Sequence, residues 1–324
     1  MVDSETDAGV ADRREPTSCL NCGSTSDEHY ASGRDVEYLT SDDLWEYRRC
    51  LDCGVVFIAT PPRDRLSVIY PSTYYSFSDG RDSFLTRVKR RLDVRFMGRL
   101  LGAQPGGELS VLDVGGGVGE LATAARSASP RVSRTVVVDI DEACREGCER
   151  AGHEFVCSRI EDFEPADRFD LILAYNLIEH IDNPREVLGR LRDHLSATGR
   201  LVIKTPNTDS LDARLFRSTP WGGLHVPRHW VLFEAESFRA SADAAGLQVQ
   251  RLEFTQGAPF WTVSIVTWLE DRGWIHRIDH RPMLESRWYG PIAGLAAAFD
   301  FARRPFAATS QMIVVMQTAD PPDR

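Results

Sequence analysis

The stretch Val111-Leu-Asp113-Val-Gly115-Gly-Gly117-Val-Gly119-Glu-Leu constrains this chain more than any other. An apolar, β-branched run ends on a strand acid, a cluster of glycines follows, and a helix-forming run begins. Glycines at such a turn let backbone N–H groups approach a ligand closely and favour an anionic group at the helix N-terminus. A strand, glycine turn and helix in this order predict a parallel sheet with its ligand at the strand carboxyl ends. Asp139, 20 residues after Gly119 and at the end of the next strand, is placed to accept hydrogen bonds from ribose hydroxyls. The pattern predicts a site for a nucleoside-containing cofactor.

The flanking sequence agrees. Candidate strands at Ser110–Val114, Thr135–Ile140, Phe169–Ala174 and Arg200–Lys204 alternate with helical patterns at Asp141–Ala151 and Asn183–Leu195. Strands that alternate with helices imply a parallel sheet covered on both faces. The second helix carries Asn183 as N-cap, Pro184 in its first turn and Gly199 past its end.

Several chemistries are excluded by composition. Lys89 and Lys204 are the two lysines; neither follows a glycine as a P-loop requires, and neither has a tyrosine four positions before it as a short-chain dehydrogenase requires. With 38 basic and 48 acidic side chains the net charge is −10, which repels a phosphate backbone, so nucleic acid is not an expected partner. Gly117-Val-Gly119-Glu-Leu-Ala122 also fits a dinucleotide turn. Asp113 argues against it, because an acid just before the glycines repels a pyrophosphate but holds the amino group of an amino-acid-bearing cofactor. Residues 1–16 are polar, with no apolar run of a signal peptide, and Ala258–Leu269 is too short to span a bilayer. A cytoplasmic protein is expected.

Cys19, Cys22, Cys50 and Cys53 form two Cys-x-x-Cys units, each followed by glycine and separated by 27 residues. Four thiolates suit a tetrahedral zinc ion that leaves no open position, so a structural metal is expected. Cys144 and Cys148, four apart on a helical pattern, read as small packing residues.

Asp113-x-Gly115-x-Gly117-x-Gly119, Val138-Asp139-Ile140 and the run from Phe169-Asp170 through Asn176 and Glu179-His180 to Pro184 together resemble a class I S-adenosylmethionine-dependent methyltransferase, over about residues 65–255. The resemblance implies an α/β, Rossmann-like sheet of seven strands, the last antiparallel, with Gln248–Thr255 and Met312–Thr318 as the final two, beside a small N-terminal zinc-ribbon module. By position it places Asp113, Gly115, Gly117 and Gly119 around the methionyl part of the donor and Asp139 at the ribose. Ile140 follows at that strand tip, Ile160 and Glu161 flank the adenine, and Asn176 lies at the fourth strand tip. Arg159 stands where many relatives have an acid. Expected boundaries are 1–16 for a disordered N-terminus, 17–64 for the zinc ribbon, 65–256 for the core, 257–311 for an aromatic-rich insertion and 312–324 for the last strand and tail.

The cysteine knuckles, Tyr70-Pro-Ser-Thr-Tyr74-Tyr75, Trp221 and Pro227-Arg-His229-Trp further resemble a bacterial branch acting on sugars, cell-surface glycans or natural products. Hydroxyl methylation of such a small molecule is the leading expectation. C-methylation of a keto nucleotide sugar, a nicotinamide-dependent oxidoreductase and a cofactor-binding module without catalysis are the alternatives. An alcohol acceptor needs a base, for which His229 is ranked before His225. His180 is read as structural or acceptor-facing. Tyr70, Tyr74 and Tyr75 are read either as a cover over a sulfonium cation or as a packed aromatic patch. Arg81–Leu101, with seven basic and two acidic residues and Leu85, Val88, Leu92 and Phe96 at helical spacing, reads as a helix packed on the sheet or as a recruiter of an anionic acceptor or membrane surface. The insertion, carrying Trp261, Trp268, Trp274, Trp288 and Tyr289, reads as a lid or a homodimer contact.

Overall fold

The computed structural model describes residues 17–70, 84–219, 221–276 and 282–319; the expectations for residues 1–16, Tyr74, Tyr75 and 320–324 lie outside them. In chain order the strands are β1 (Asp27–Gly33), β2 (Trp45–Cys50), β3 (Val56–Ile58), β4 (Leu109–Val114), β5 (Val132–Asp139), β6 (Glu154–Cys157), β7 (Phe169–Tyr175), β8 (Leu195–Pro206), β9 (Val231–Leu232), β10 (Leu247–Thr255) and β11 (Gln311–Thr318). The helices are α1 (Leu66–Ile69), α2 (Phe84–Gly102), α3 (Glu120–Ala128), α4 (Arg145–Arg150), α5 (Pro184–Asp193), α6 (Leu211–Leu215), α7 (Ala235–Ala244), α8 (Ala258–Asp271) and α9 (Tyr289–Arg303).

Seven strands form one sheet in the order β10-β11-β8-β7-β4-β5-β6. Strands β4 to β8 pair parallel, and β11 inserts antiparallel to both β8 and β10, as the methyltransferase resemblance implies. The central strands bury both faces: Val111, Leu112, Leu171, Ile172, Leu173, Val202 and Ile203 have no exposed surface. The chain runs outward from β4 through β5 to β6 and then returns to β7 on the other side of β4. The carboxyl ends of β4, β5 and β7 therefore flank the switch point where such sheets bind ligands.

A second sheet has the order β1-β2-β3-β9. Its fourth strand is supplied by residues 231–232, with Val56 opposite Leu232 and Phe57 opposite Val231. Tyr47, Val55, Val56 and Ile58 join Leu224, Val231, Leu232 and Phe233 in the same apolar cluster as the main sheet. The cysteine-bearing segment is thus sewn into the core. Its strongest stitch is ionic: Arg228 and Asp35, both with fully buried side chains, pair through two guanidinium nitrogens at 2.8 and 3.2 Å. The backbone N–H groups of Tyr38 and Thr40 also donate to that carboxylate, at 3.0 and 2.9 Å.

Burial alone would raise the Asp35 carboxyl, but the Arg228 guanidinium and the donors around it hold it at about 2. Asp35→Asn leaves a buried cation unpaired and is expected to destabilise the fold by about 3–5 kcal/mol at neutral pH. The folded carboxyl titrates below its unfolded value of about 3.9, so its contribution is present above that pH and is lost as pH falls through about 2. Urea unfolding of parent and variant should show the gap at pH 7 and its closure towards pH 2; a constant gap would refute the ionic account.

Three expectations change. In α2 the buried face is Met97, Leu100 and Leu101, whereas Val88 and Leu92 are exposed, because only the C-terminal half of the helix lies on the sheet cluster. Residues 141–151 start as a 3-10 turn at Glu142–Cys144 before α4, and Cys144 and Cys148 pack with Phe155 and Val137. Asn183 occupies the N-cap position of α5 but makes no side-chain cap; its amide donates to Glu186 at 2.9 Å. The 257–311 segment folds into α8 and α9, which bury Trp261 between them and the core. Asp300 anchors it, accepting from Gly257 N, Trp261 Nε1 and Ser310 Oγ.

Candidate active site

The turn after β4 takes the conformations that its glycines permit. Gly115, Gly117 and Gly119 have φ of +68°, +54° and +79°. A Cβ on Gly116 would lie 2.5 Å from Asp113 Cγ, and one on Gly119 would lie 2.6 Å from the His153 ring. Asp113 is 1% exposed, and its Oδ2 accepts from Ala122 N in α3 at 3.2 Å. Burial raises this carboxyl to about 7; the Ala122 N–H works against that and the Asp139 charge adds to it. A cationic group beside Asp113 would restore its ionised form. Asp139 accepts from Gly117 N at 2.9 Å and from Asp141 N at 3.0 Å, so the acid at the tip of β5 is rigidly held against the turn.

Next to it Ile140 is 71% exposed, an apolar face left open at the strand end. Ile160, after β6, is buried, while Glu161 is engaged by Arg159 at 3.1 Å. Arg159 thus ties up the carboxylate that the resemblance puts beside adenine. Asn176 ends β7 in a left-handed conformation, φ +50°, with Oδ1 accepting from Gln311 Nε2 at 3.2 Å. Asp113, Gly115, Gly117 and Gly119 stand on one strand end and its turn, and Asp139 is bonded to that turn through Gly117 N. Asn176 stands on the adjacent strand β7, and Ile160 and Glu161 stand beyond β6.

On the other side of β7 three histidines meet. His229 lies with its ring centroid 4.8 Å from that of His180 and 4.9 Å from that of His225. Nδ1 of His229 is 2.8 Å from the Gly223 carbonyl, and Nδ1 of His180 is 2.9 Å from the Arg228 carbonyl. A carbonyl only accepts, so both Nδ1 atoms carry the proton and both rings present Nε2 as the lone-pair nitrogen. Burial holds His180 at about 3 and His229 well below the usual histidine range. Glu179 is buried beside them and raised by that burial to about 8; Thr205 donates to one oxygen at 3.0 Å, and the other has no hydrogen-bond partner among the described residues. Tyr70 reaches His180 Nδ1 with its hydroxyl at 3.0 Å.

His225 differs from the other two. It has φ +40° and ψ 51°, and its Nδ1 is 2.7 Å from Glu37 Oε1, on the loop between β1 and β2.

At the far end of the small sheet, Cys19 and Cys53 sulfurs lie 3.7 Å apart and Cys22 and Cys50 sulfurs 3.6 Å apart, with all four ligand atoms within 4.8 Å of one another. A tetrahedron with arms of about 2.3 Å has edges of about 3.8 Å, so the donor set and its spacing fit zinc. Gly23 and Gly54 take φ of +78° and +73°, which turns each knuckle back on itself.

The sequence profile of the family described as "methyltransferase domain" matches residues 84–252, just over half of the chain. The chain belongs to the methyltransferase-domain family. Ubiquinone biosynthesis O-methyltransferases of Bradyrhizobium sp. (strain ORS 278) and Rhodopseudomonas palustris (strain BisB5) are 35% and 32% identical over 54 residues. That stretch is 17% of this chain, and the chain spans 21% of the length of these relatives. Among solved structures, coclaurine N-methyltransferase bound to N-methylheliamine and S-adenosylhomocysteine overlaps at TM-score 0.49 and 18% identity, over 80% of this chain and 81% of that one. Burkholderia thailandensis 1,6-didemethyltoxoflavin-N1-methyltransferase overlaps at 0.47 and 16%, over 83% and 98%.

Within this methyltransferase-family chain, sequence reasoning located the β4 turn, the β5 acid and the cysteines. It missed Asp35 and Glu37. They lie 193 and 188 positions from their partners, and no local pattern marks a loop acid as the partner of a distant arginine or histidine. Among the described residues no helix is long and apolar enough to cross a membrane.

Proposed function

We propose that the protein transfers a methyl group from S-adenosylmethionine to a hydroxyl of a small molecule such as a sugar, a glycan or another natural product. The observation that carries this reading is Asp113, a buried carboxylate held against a glycine turn, with Asp139 one strand away. A diphosphate would meet two acids there, whereas the α-ammonium and ribose of an aminoacyl nucleoside would find an acceptor for each. Family membership and the short match to O-methyltransferases support the same reading.

Asp113 and the glycine turn hold the methionyl end, Asp139 holds the ribose hydroxyls, and Ile140 and Ile160 provide apolar contact for the base, with Glu161 and Asn176 at the edges of the site. When bound, the donor supplies an electrophilic sulfonium methyl. The chain itself aligns the acceptor, keeps water out and takes up the acceptor proton through the histidine loop, where His225 and His229 are the candidates. The four cysteines hold a zinc ion whose role is structural, since four protein ligands leave it no site for a substrate.

S-adenosylhomocysteine at about 100 times its Kd should stabilise the fold by about 2.7 kcal/mol, with NADH giving no such gain. Stabilisation by NADH in its place would overturn the reading in favour of an oxidoreductase. The acceptor class is read by transfer of a tritiated methyl group into sugar nucleotides and aromatic hydroxyl compounds. Label recovered on carbon would replace hydroxyl methylation by C-methylation.

A further inference from the structure

We propose that Glu37 and His225 form a carboxylate–imidazole dyad in which His225 is the proton acceptor of the reaction and Glu37, from the cysteine-bearing segment, is its positioning residue. The inference rests on the methyl-transfer reading above and adds to it a residue that the family core does not contain, since Glu37 lies outside the matched residues 84–252.

Four observations converge on it. The Glu37 Oε1 to His225 Nδ1 distance is 2.7 Å, and a carboxylate at Nδ1 assigns the proton to that nitrogen and leaves Nε2 as the lone-pair nitrogen of the neutral ring. The two side chains are 17% and 14% exposed, so the pair is shielded yet still reached from solvent, whereas His229 is 5% exposed. His225 is held in the left-handed region, which non-glycine residues seldom adopt; among the described residues only Leu39 and Asn176 share this. Held strain of this kind gathers at functional sites. Finally, the pair is held by its own two segments and by the insertion: the Glu37 carbonyl accepts from Met283 N at 2.9 Å, Tyr38 packs edge-on against the His225 ring with centroids 6.0 Å apart, and His229 packs against that ring with centroids 4.9 Å apart.

A carboxylate, a histidine oriented by it and a reacting hydroxyl form the arrangement that generates a base near neutral pH. In the step, the acceptor O–H bond breaks and its proton passes to His225 Nε2. The oxygen pair forms the new C–O bond, and the C–S pair returns to sulfur, converting the sulfonium to a neutral thioether. The Glu37 carboxylate, 2.7 Å from Nδ1, offsets the imidazolium charge. The buried His229 stays neutral and forms the wall against which His225 is packed.

The dyad is testable without an acceptor. Imidazole ¹⁵N NMR of the full chain should show His225 with its proton on Nδ1, and Glu37→Ala should move it toward Nε2 while Glu37→Asp keeps the parental signature. Carbethoxylation of His225 by diethyl pyrocarbonate, read by mass spectrometry, should slow about ten-fold in Glu37→Ala and recover in Glu37→Asp. With any acceptor found by the tritium screen, His225→Asn should lower kcat by about 100-fold or more with donor affinity unchanged; asparagine tolerates the left-handed backbone, so the loop keeps its shape. Glu37→Ala should lower kcat with KM little changed, and Glu37→Asp should rescue it. Thermal unfolding of each variant identifies one that has merely lost its fold.

An unchanged ¹⁵N signature in a folded Glu37→Ala overturns the dyad. A shifted signature with full turnover in His225→Asn overturns its role as base, and loss of turnover confined to His229→Asn transfers that role to His229. Failure of S-adenosylhomocysteine to bind the parent would remove the methyl-transfer reading and leave the NMR result standing.

Discussion

Cys50→Ser is expected to empty the four-cysteine site and to unfold more than the segment that carries it. Structural zinc sites in small peptides bind with an apparent free energy of about 10–16 kcal/mol at neutral pH, comparable to the whole stability of an ordinary domain. Cys50 is buried at the end of β2, and its N–H donates to Val55 O at 2.9 Å, which shapes the turn into β3. Loss of that corner frees β3 from β9, and with it the chain leading out of the histidine loop. The Tyr47 hydroxyl, 3.1 Å from the His229 carbonyl, and the Arg228–Asp35 pair lose their footing in the same event.

Metal analysis should therefore fall from one zinc per chain to none. Amide exchange should rise across 17–64 and also across 221–233, while α3, whose Ala124 and Ala125 pack in a separate cluster, keeps its protection. A parent protein free of zinc ends the metal assignment. A variant that opens only residues 17–64 shows that the histidine loop stands without them.

Gly117→Val should abolish donor binding at little cost to the fold, and the contrast with Gly119 explains why. At Gly117 the nearest atom to a new Cβ is Cys144 Sγ at 4.0 Å, so the main local penalty is the strain of a β-branched residue at φ +54°, about 1–2 kcal/mol. The backbone N–H that faces Asp139 at 2.9 Å then shifts, and the side chain stands where ligand atoms would approach. Calorimetry should record at least about a 100-fold loss of S-adenosylhomocysteine affinity, equivalent to about 2.7 kcal/mol, with a melting temperature within a few degrees of the parent. Gly119→Val meets the His153 ring at 2.6 Å and Val137 at 3.3 Å, and should lose stability as well as affinity. Retained affinity in a folded Gly117→Val would remove the turn from the site.

Much of the core was legible because its rules are local. The β4 turn needs glycine wherever φ is positive, and the β-branched runs need burial on both faces. Those requirements are met within about ten residues of chain, so they leave a readable pattern. The α2 stripe shows where such reading stops: Val88 and Leu92 have helical spacing, yet the sheet extends only far enough to cover Met97, Leu100 and Leu101. Loop position made His225 and His229 candidates alike; distant segments set that Glu37 meets His225 and that His229 is enclosed.

The sequence by itself determined the doubly covered sheet, the glycine turn after β4 and the four thiolates, because each follows from conformational needs of neighbouring residues. Tertiary structure alone decided that β9 completes the cysteine-bearing sheet, that Asp35 neutralises Arg228 and that Glu37 meets His225. Charge pairing across 188 or more residues is specified by where packed surfaces meet, and that is a property of the folded core as a whole.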